Sequence, residues 1–235
     1  MKNCKKIPVL CYHNIMKTKD YNKLTEEEKA FVIEYDIFEK QMKLLKKLGY
    51  KTLTMDEFYK WKKGEIKLPY KSVLITFDDG YENVYKYAMP ILKENNLKSC
   101  VFIIASKLND VKDYISISQI KDSQKKYPNI EFCSHSYDLH VRGSVESKKL
   151  SELEKDIKQY EKSMGKCKYF AYPFGHYSNE MIKALKSHDY KLAFIFEMPK
   201  KVKKNENDYL IPRINTSFSQ STFKFFLKII LPFIY

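Results

Sequence analysis

Short apolar runs alternate with amphipathic ones along most of this chain, and no other feature restricts its fold as strongly. The apolar runs are IPVLCYH (7–13), YKTLT (50–54), SVLITF (72–77), SCVFIIA (99–105), NIEFCSHS (129–136), KYFAYP (168–173), KLAFIF (191–196) and YLIPRIN (209–215). Between them lie helix-like stretches. Phe38, Met42, Leu45 and Leu48 share one helical face that Gly49 ends, and Thr54 with Glu57 has the spacing of a capping box opening a helix through Trp61. Residues 78–96 read as a helix with Pro90 in its middle or marking a break, and 116–127, 144–165 and 178–190 read as helices. Parallel strands need crossover connections, which are usually helices, so repeated β/α units predict an α/β fold with a parallel sheet or barrel. Working residues in such folds sit on loops after the C-terminal ends of the strands.

Several unusual residues fall at those ends. His13 closes the first run, Asp78 and Asp79 follow SVLITF, His135 and His140 follow NIEFCS, and Pro173, Phe174, Gly175 and His176 follow KYFAY. Four of the five histidines and an adjacent carboxylate pair therefore converge on one rim. An aspartate with two neutral imidazoles suits zinc or a similar transition ion, with coordination positions left open. An ion of that kind lowers the pKa of bound water and polarises a carbonyl, which suits hydrolysis of an amide, and a neighbouring carboxylate can accept the proton. Taken alone, FDDG could be a helix-capping turn or a magnesium site resembling the haloacid-dehalogenase phosphatases; the histidine pair favours the transition ion. Asp138, between the two histidines, could support one of them or cap a turn. His176 could touch substrate or lie on a surface loop, and His188, late in a helix, reads as structural.

Composition limits what else the chain could do. With 44% hydrophobic and 31% charged residues in 235, it has the profile of one folded domain spanning 1–235. Its net charge of +14 is carried almost entirely by lysine, and Arg142 and Arg213 are its two arginines. Bidentate reading of bases therefore has little to work with, so no specific nucleic acid is expected. A solvated lysine surface is the favoured reading, with contact to a membrane surface or anionic polymer left open. Five cysteines without a CxxC pair suggest neither a disulfide framework nor a zinc knuckle, and they read as packed small hydrophobes. The N-terminal apolar run is interrupted by Pro8 and His13, so no export signal is visible. The expectation is a cytoplasmic or membrane-associated protein as the chain stands, or an extracellular or cell-surface one if a leader is missing. The final segment, 221–235, reads as a helix packed on the domain or lying at a membrane interface; it is short of the ~20 residues a bilayer span needs. A monomer is expected.

TFDDG resembles the first motif of the NodB-type polysaccharide deacetylases, carbohydrate esterase family four. HSYDLH is similar to the form of the second motif in the poly-N-acetylglucosamine deacetylase subgroup, where the two histidines stand five apart. The resemblance runs from about residue 7 to 216 and implies a distorted (β/α) barrel of that type. It further implies Asp78 as catalytic base and Asp79, His135 and His140 as ligands of one divalent metal, most simply zinc, with cobalt, nickel or iron as alternatives. In that subgroup an N-terminal YH supplies the general acid, here His13. AYPFG resembles the third motif but has Ala171 where the family usually has arginine. Phe174 N–H is the implied oxyanion donor, and Tyr172, Pro173, Phe174 and His176 are the implied substrate contacts. IPRIN resembles a late arginine stretch in which Arg213 would orient Asp78.

The expected activity is metal-dependent removal of N-acetyl groups from N-acetylglucosamine units of a polysaccharide, with release of acetate. Peptidoglycan or chitin-type oligomers are the alternative substrates. The rivals are a magnesium phosphohydrolase, which leaves the histidine pair unexplained, and an inactive glycan-binding relative.

Overall fold

The computed structural model describes residues 3–109, 111–196, 200–216 and 221–230. Eight strands form one sheet: β1 (Val9–Tyr12), β2 (Lys51–Thr52), β3 (Ser72–Phe77), β4 (Ser99–Ile103), β5 (Ile130–Ser134), β6 (Tyr169–Ala171), β7 (Leu192–Phe194) and β8 (Ile214–Asn215). Their order is β7-β6-β5-β4-β3-β1-β8, with β2 beside the start of β3, and every pair is parallel. At the open seam a bridge between Phe194 and Ile211 brings the lead-in to β8 back against β7. The sheet thereby curls into a distorted barrel.

Both faces of that sheet are apolar, which is why the strands read as continuous hydrophobic runs. Val9, Leu74, Cys100, Phe102, Cys133, Ala171, Phe194 and Ile211 pack together inside. Leu10, Tyr12, Val73, Ile75, Phe77, Val101 and Ile103 face outward into a core shared with the surrounding helices. Side chains alternate along a strand, so the inward row continues past Val9 to Cys11 and His13, past Leu74 to Thr76 and Asp78, past Cys133 to His135, and past Ile211 to Arg213. The barrel's inward register thus delivers four polar side chains to its C-terminal mouth.

The longer helices are α1 (Tyr35–Lys47), α2 (Met55–Lys63), α3 (Met89–Glu94), α4 (Ile117–Lys126), α5 (Leu150–Met164), α6 (Asn179–Ser187) and α7 (Thr222–Ile230). Phe38, Met42 and Leu45 are the buried apolar stripe of α1. The capping box at α2 is formed, Thr54 Oγ1 accepting from Glu57 N–H and Glu57 Oε2 from Thr54 N–H. Pro90 sits where a π-helical turn, Val84–Ala88, gives way to α3: proline has no N–H to offer the preceding turn, so the ladder widens before it.

Three expectations need correction. The helix expected over 144–165 is two, Ser144–Ser147 and α5, because Lys148 and Lys149 are extended and the Lys149 N–H is capped by Glu152. In the lysine-rich stretch near 199–207, Val202–Lys203 forms a short strand antiparallel to Lys6–Ile7. Between β1 and α1 an excursion of two short strands joined by two one-turn helices, Thr18–Tyr21 and Glu26–Lys29, unforeseen in the sequence, pairs Asn14–Met16 with Val32–Glu34 in parallel. In the C-terminal segment, α7 packs Phe225 and Ile229 into the core that contains Phe38, Met42 and Leu45, and the rest of the helix expected to 235 lies outside the described residues. Among the described residues no helix is long and apolar enough to cross a membrane.

Candidate active site

Asp78 extends β3, its N–H bonded to Tyr12 O at 2.9 Å, and the chain then turns sharply through Asp79 (φ 71°) and Gly80 (φ 78°). The left-handed φ at Gly80 favours glycine, and an added Cβ would also push on the end of the Ile103 side chain, 2.7 Å away. The turn aims the two carboxylates differently. Asp78 is buried against Arg213, whose Nη1 and Nη2 donate to Oδ1 and Oδ2 at 2.6 and 2.7 Å. Asp79 Oδ1 instead lies 3.3 Å from His135 Nε2 and 3.0 Å from His140 Nε2.

The second pairing carries the chemistry. His135 Nδ1 lies 2.8 Å from Ala171 O, a carbonyl that can only accept, so Nδ1 carries a hydrogen and Nε2 is the ring atom turned to Asp79, a lone-pair donor whenever the ring is neutral. Asp79 Oδ1 is buried and, among the described residues, has no hydrogen-bond partner. Two electron-rich atoms facing each other in a buried place call for a cation between them. Asp79, His135 and His140 form a three-residue N/O donor set with all ligand atoms within 4.8 Å, and they fit a divalent ion. Cys11, His13 and Asp78 lie equally close together. That set is a poor cation site, since the Arg213 guanidinium already occupies both Asp78 oxygens and burial pushes the Cys11 thiol well up, keeping it protonated.

The loop between the two histidines is pinned from below. Asp156, on the buried face of α5, accepts from Tyr137 N–H at 2.9 Å and from Asp138 N–H at 2.8 Å. Leu139 N–H bonds Ser136 Oγ, and Ser136 itself is left-handed at φ 73°. Asp138 points elsewhere, accepting from Ser106 Oγ, and supports neither histidine.

Electrostatics separate the acid–base groups. Burial opposes the Asp78 charge, but Arg213 and then His135 outweigh it and hold the carboxyl below its ordinary value. Burial lowers the His13 pKa against the pull of Asp79 and Asp78. Its Nδ1 is buried without a partner, and its ring meets Phe31 and Phe196 edge-on, at 5.1 and 6.0 Å.

A cleft of about 520 Å³ opens above these groups. His13, Asp78, Asp79, His135, His140, Arg213, Phe174 and His176 all line it. Tyr172 and Pro173 do not, which corrects the expectation for both. Strand alternation turns Tyr172 outward from the barrel into a core with Phe170, Leu185 and Tyr190, and Pro173 is buried under the turn. His176 Nδ1 lies 2.6 Å from Glu146 Oε1, and His188 lies outside the cleft near Glu161. Sequence reading missed Asn14, Glu28 and Phe31 of the excursion, and also Arg142 and Phe196. Asp156 left a signal: it shares a helical face with Leu153, Ile157 and Tyr160, and a carboxylate on an apolar stripe needs a partner.

Residues 65–193 match the family model for polysaccharide deacetylase. The chain is 33% identical over 225 residues to the poly-β-1,6-N-acetyl-D-glucosamine N-deacetylase of Staphylococcus aureus, covering 87% of this chain and 77% of that one. The fold is similar to that of the Streptococcus pyogenes deacetylase PplD, solved in complex with acetate, with a TM-score of 0.81, 22% identity and coverage of 95% and 98% of the two chains. It is likewise similar to IcaB from Ammonifex degensii, with a TM-score of 0.74, 24% identity and coverage of 94% and 97%. The family match over more than half the chain falls on the same turns that carry Asp78, Asp79, His135 and His140, and this protein belongs to the polysaccharide deacetylase family.

Proposed function

We propose that this deacetylase removes acetyl groups from N-acetylglucosamine units of a poly-N-acetylglucosamine-like polysaccharide. The observation that carries the reading is the convergence of His135 Nε2 and His140 Nε2 on the unpartnered Asp79 Oδ1, next to an Asp78 held ionised by Arg213. The name of the Staphylococcus aureus relative supports the choice of polymer.

Asp79, His135 and His140 would hold one divalent metal, and zinc suits their mixed nitrogen and oxygen set best. Bound there, the ion supplies Lewis acidity toward an acyl oxygen and toward water. Asp78 accepts the proton of the water whose oxygen bonds the acetamide carbon. Arg213 leaves that carboxylate in one orientation and, by its charge, makes it a weaker but permanently available base. The backbone N–H of Phe174 stabilises negative charge on the acyl oxygen. As the C–N bond breaks, His13 delivers a proton to the amine nitrogen, so that water is consumed and acetate and a free amino sugar result. The low pKa that burial gives His13 makes its protonated form a strong donor.

The test is acetate release from β-1,6-linked N-acetylglucosamine oligomers, set beside chitin-type oligomers and an aryl phosphate. The reading predicts release from the β-1,6 series with the highest kcat/KM. Preference for the chitin-type series would move the substrate within the family, and phosphate release without acetate would overturn the reading.

A further inference from the structure

The chain places lysine at almost every cationic position, and both of its arginines line the same cleft. Arg213 is accounted for by Asp78. Arg142 is not: it is exposed and lies two residues beyond His140, and among the described residues it makes no ion pair within 4.0 Å. Its position is nevertheless fixed. Val141 N–H bonds Leu139 O and Ser144 N–H bonds Val141 O, so Arg142 sits in a tight turn closed by the left-handed Gly143. The guanidinium carbon lies 5.6 Å from the centre of the Phe174 ring, and the centre of that ring is 4.5 Å from the centre of the His140 ring. Phe174 therefore touches both His140 and Arg142, and all three line the cleft.

Phe174 is held for this purpose at some cost. It is left-handed (φ 56°), a conformation that bulky residues rarely adopt, and the residue is 37% exposed. An aromatic face under a guanidinium holds the plane in place while leaving the N–H edges free. Lysine at this position would offer a mobile point charge; arginine offers a fixed fork of donors.

We propose that Arg142, laid on Phe174, reads the sugar unit adjoining the one being deacetylated, donating its N–H fork to ring hydroxyl and glycosidic oxygens. This rests on the proposed substrate being an N-acetylglucosamine polymer. It makes Arg142 a specificity-determining residue for chain length, separate from the groups that act on the acetyl carbon.

The experiment compares initial rates of acetate release from N-acetylglucosamine dimer and pentamer by the metal-loaded wild-type protein, Arg142→Ala and Arg142→Lys. Arg142→Ala is expected to raise KM for the pentamer about tenfold, the size of a lost pair of charge-assisted hydrogen bonds, with kcat changed less than twofold. A dimer can bind with its second unit on the side away from Arg142, so it should feel less of the effect and the wild-type preference for longer chains shrinks. Arg142→Lys should not restore it, because charge without the fork is insufficient. Pentamer KM unchanged in Arg142→Ala overturns the inference while leaving the proposed function standing. Full rescue by lysine also overturns it, showing that charge alone acts there. If the wild-type protein releases acetate from neither oligomer, the substrate reading and this inference fall together.

Discussion

Arg213 grips both oxygens of Asp78, at 2.6 and 2.7 Å, and both side chains are buried at the floor of the cleft. The pair joins the lead-in to β8 to the end of β3, so one interaction both closes the barrel mouth and sets the proposed base. Arg213→Ala leaves a buried carboxylate without its counter-charge, and a loss of about 3–5 kcal/mol in denaturant unfolding is expected. Arg213→Lys keeps the charge but loses the fork. It should fold, with acetate release down by about tenfold or more.

The two adjacent carboxylates should separate cleanly. Asp78→Asn is predicted to lower kcat by roughly 10²–10⁴-fold while elemental analysis finds the metal still bound. Asp79→Asn should lose metal and activity together, since it removes the charged oxygen on which His135 and His140 converge.

Asp156 touches neither proposed substrate nor metal, yet it holds two consecutive N–H groups of the loop between the histidine ligands. Asp156→Ala is expected to cost about 1–3 kcal/mol of stability. It should also weaken zinc affinity by roughly tenfold, as loss of an orienting group does elsewhere. Isothermal titration of the stripped protein checks this, and unaltered affinity would show that the loop holds itself.

Gly175 (φ +76°) lets Phe196 close on the cleft: an added Cβ would stand 2.5 Å from both the backbone nitrogen and Cβ of Phe196. Backbone cannot step aside cheaply, so Gly175→Ala should destabilise the fold by about 1–3 kcal/mol and raise KM, because Phe196 lines the cleft.

Glu57 tests electrostatics away from the metal. Burial acts against its charge, but Lys51, the Thr54 N–H and Lys98 outweigh it and bring its pKa from 4.5 to about 2. A carboxyl depressed on folding stabilises above its unfolded pKa and loses that contribution as pH falls through the folded one. Glu57→Gln keeps the cap but not the charge. At pH 7 it should lower stability by about 1 kcal/mol, with solvent screening reducing the effect, and the difference from wild type should vanish between pH 4.5 and 2.

Much of the barrel was legible because strands covered on both faces leave unbroken apolar runs, and because chemistry-bearing residues at their ends are few. Asp78, Asp79, His135 and His140 stood out on those grounds. The excursion from Asn14 to Glu34 did not, since strands of three residues carry no measurable period. The break at Lys148 and Lys149 was hidden because lysine is compatible with a continuous helix; the capping carboxylate of Glu152 ends the first and begins the second. Tyr172 was misplaced by ignoring the two-residue alternation that turns Phe170 and Tyr172 away from the barrel interior. Arg142 gave a signal in composition alone, as one of two arginines, and its partner Phe174 is visible only in space.

If Asp79, His135 and His140 hold a metal on which deacetylation depends, removing that metal must stop the reaction. The most direct measurement is acetate release from β-1,6-linked N-acetylglucosamine oligomers by protein stripped with a chelator, then reloaded with one equivalent of zinc, cobalt or nickel. Stripped protein should release no acetate and should recover at one equivalent of metal, with His140→Ala failing to recover under the same conditions. Full activity in the stripped protein, or recovery in His140→Ala equal to wild type, would contradict that dependence.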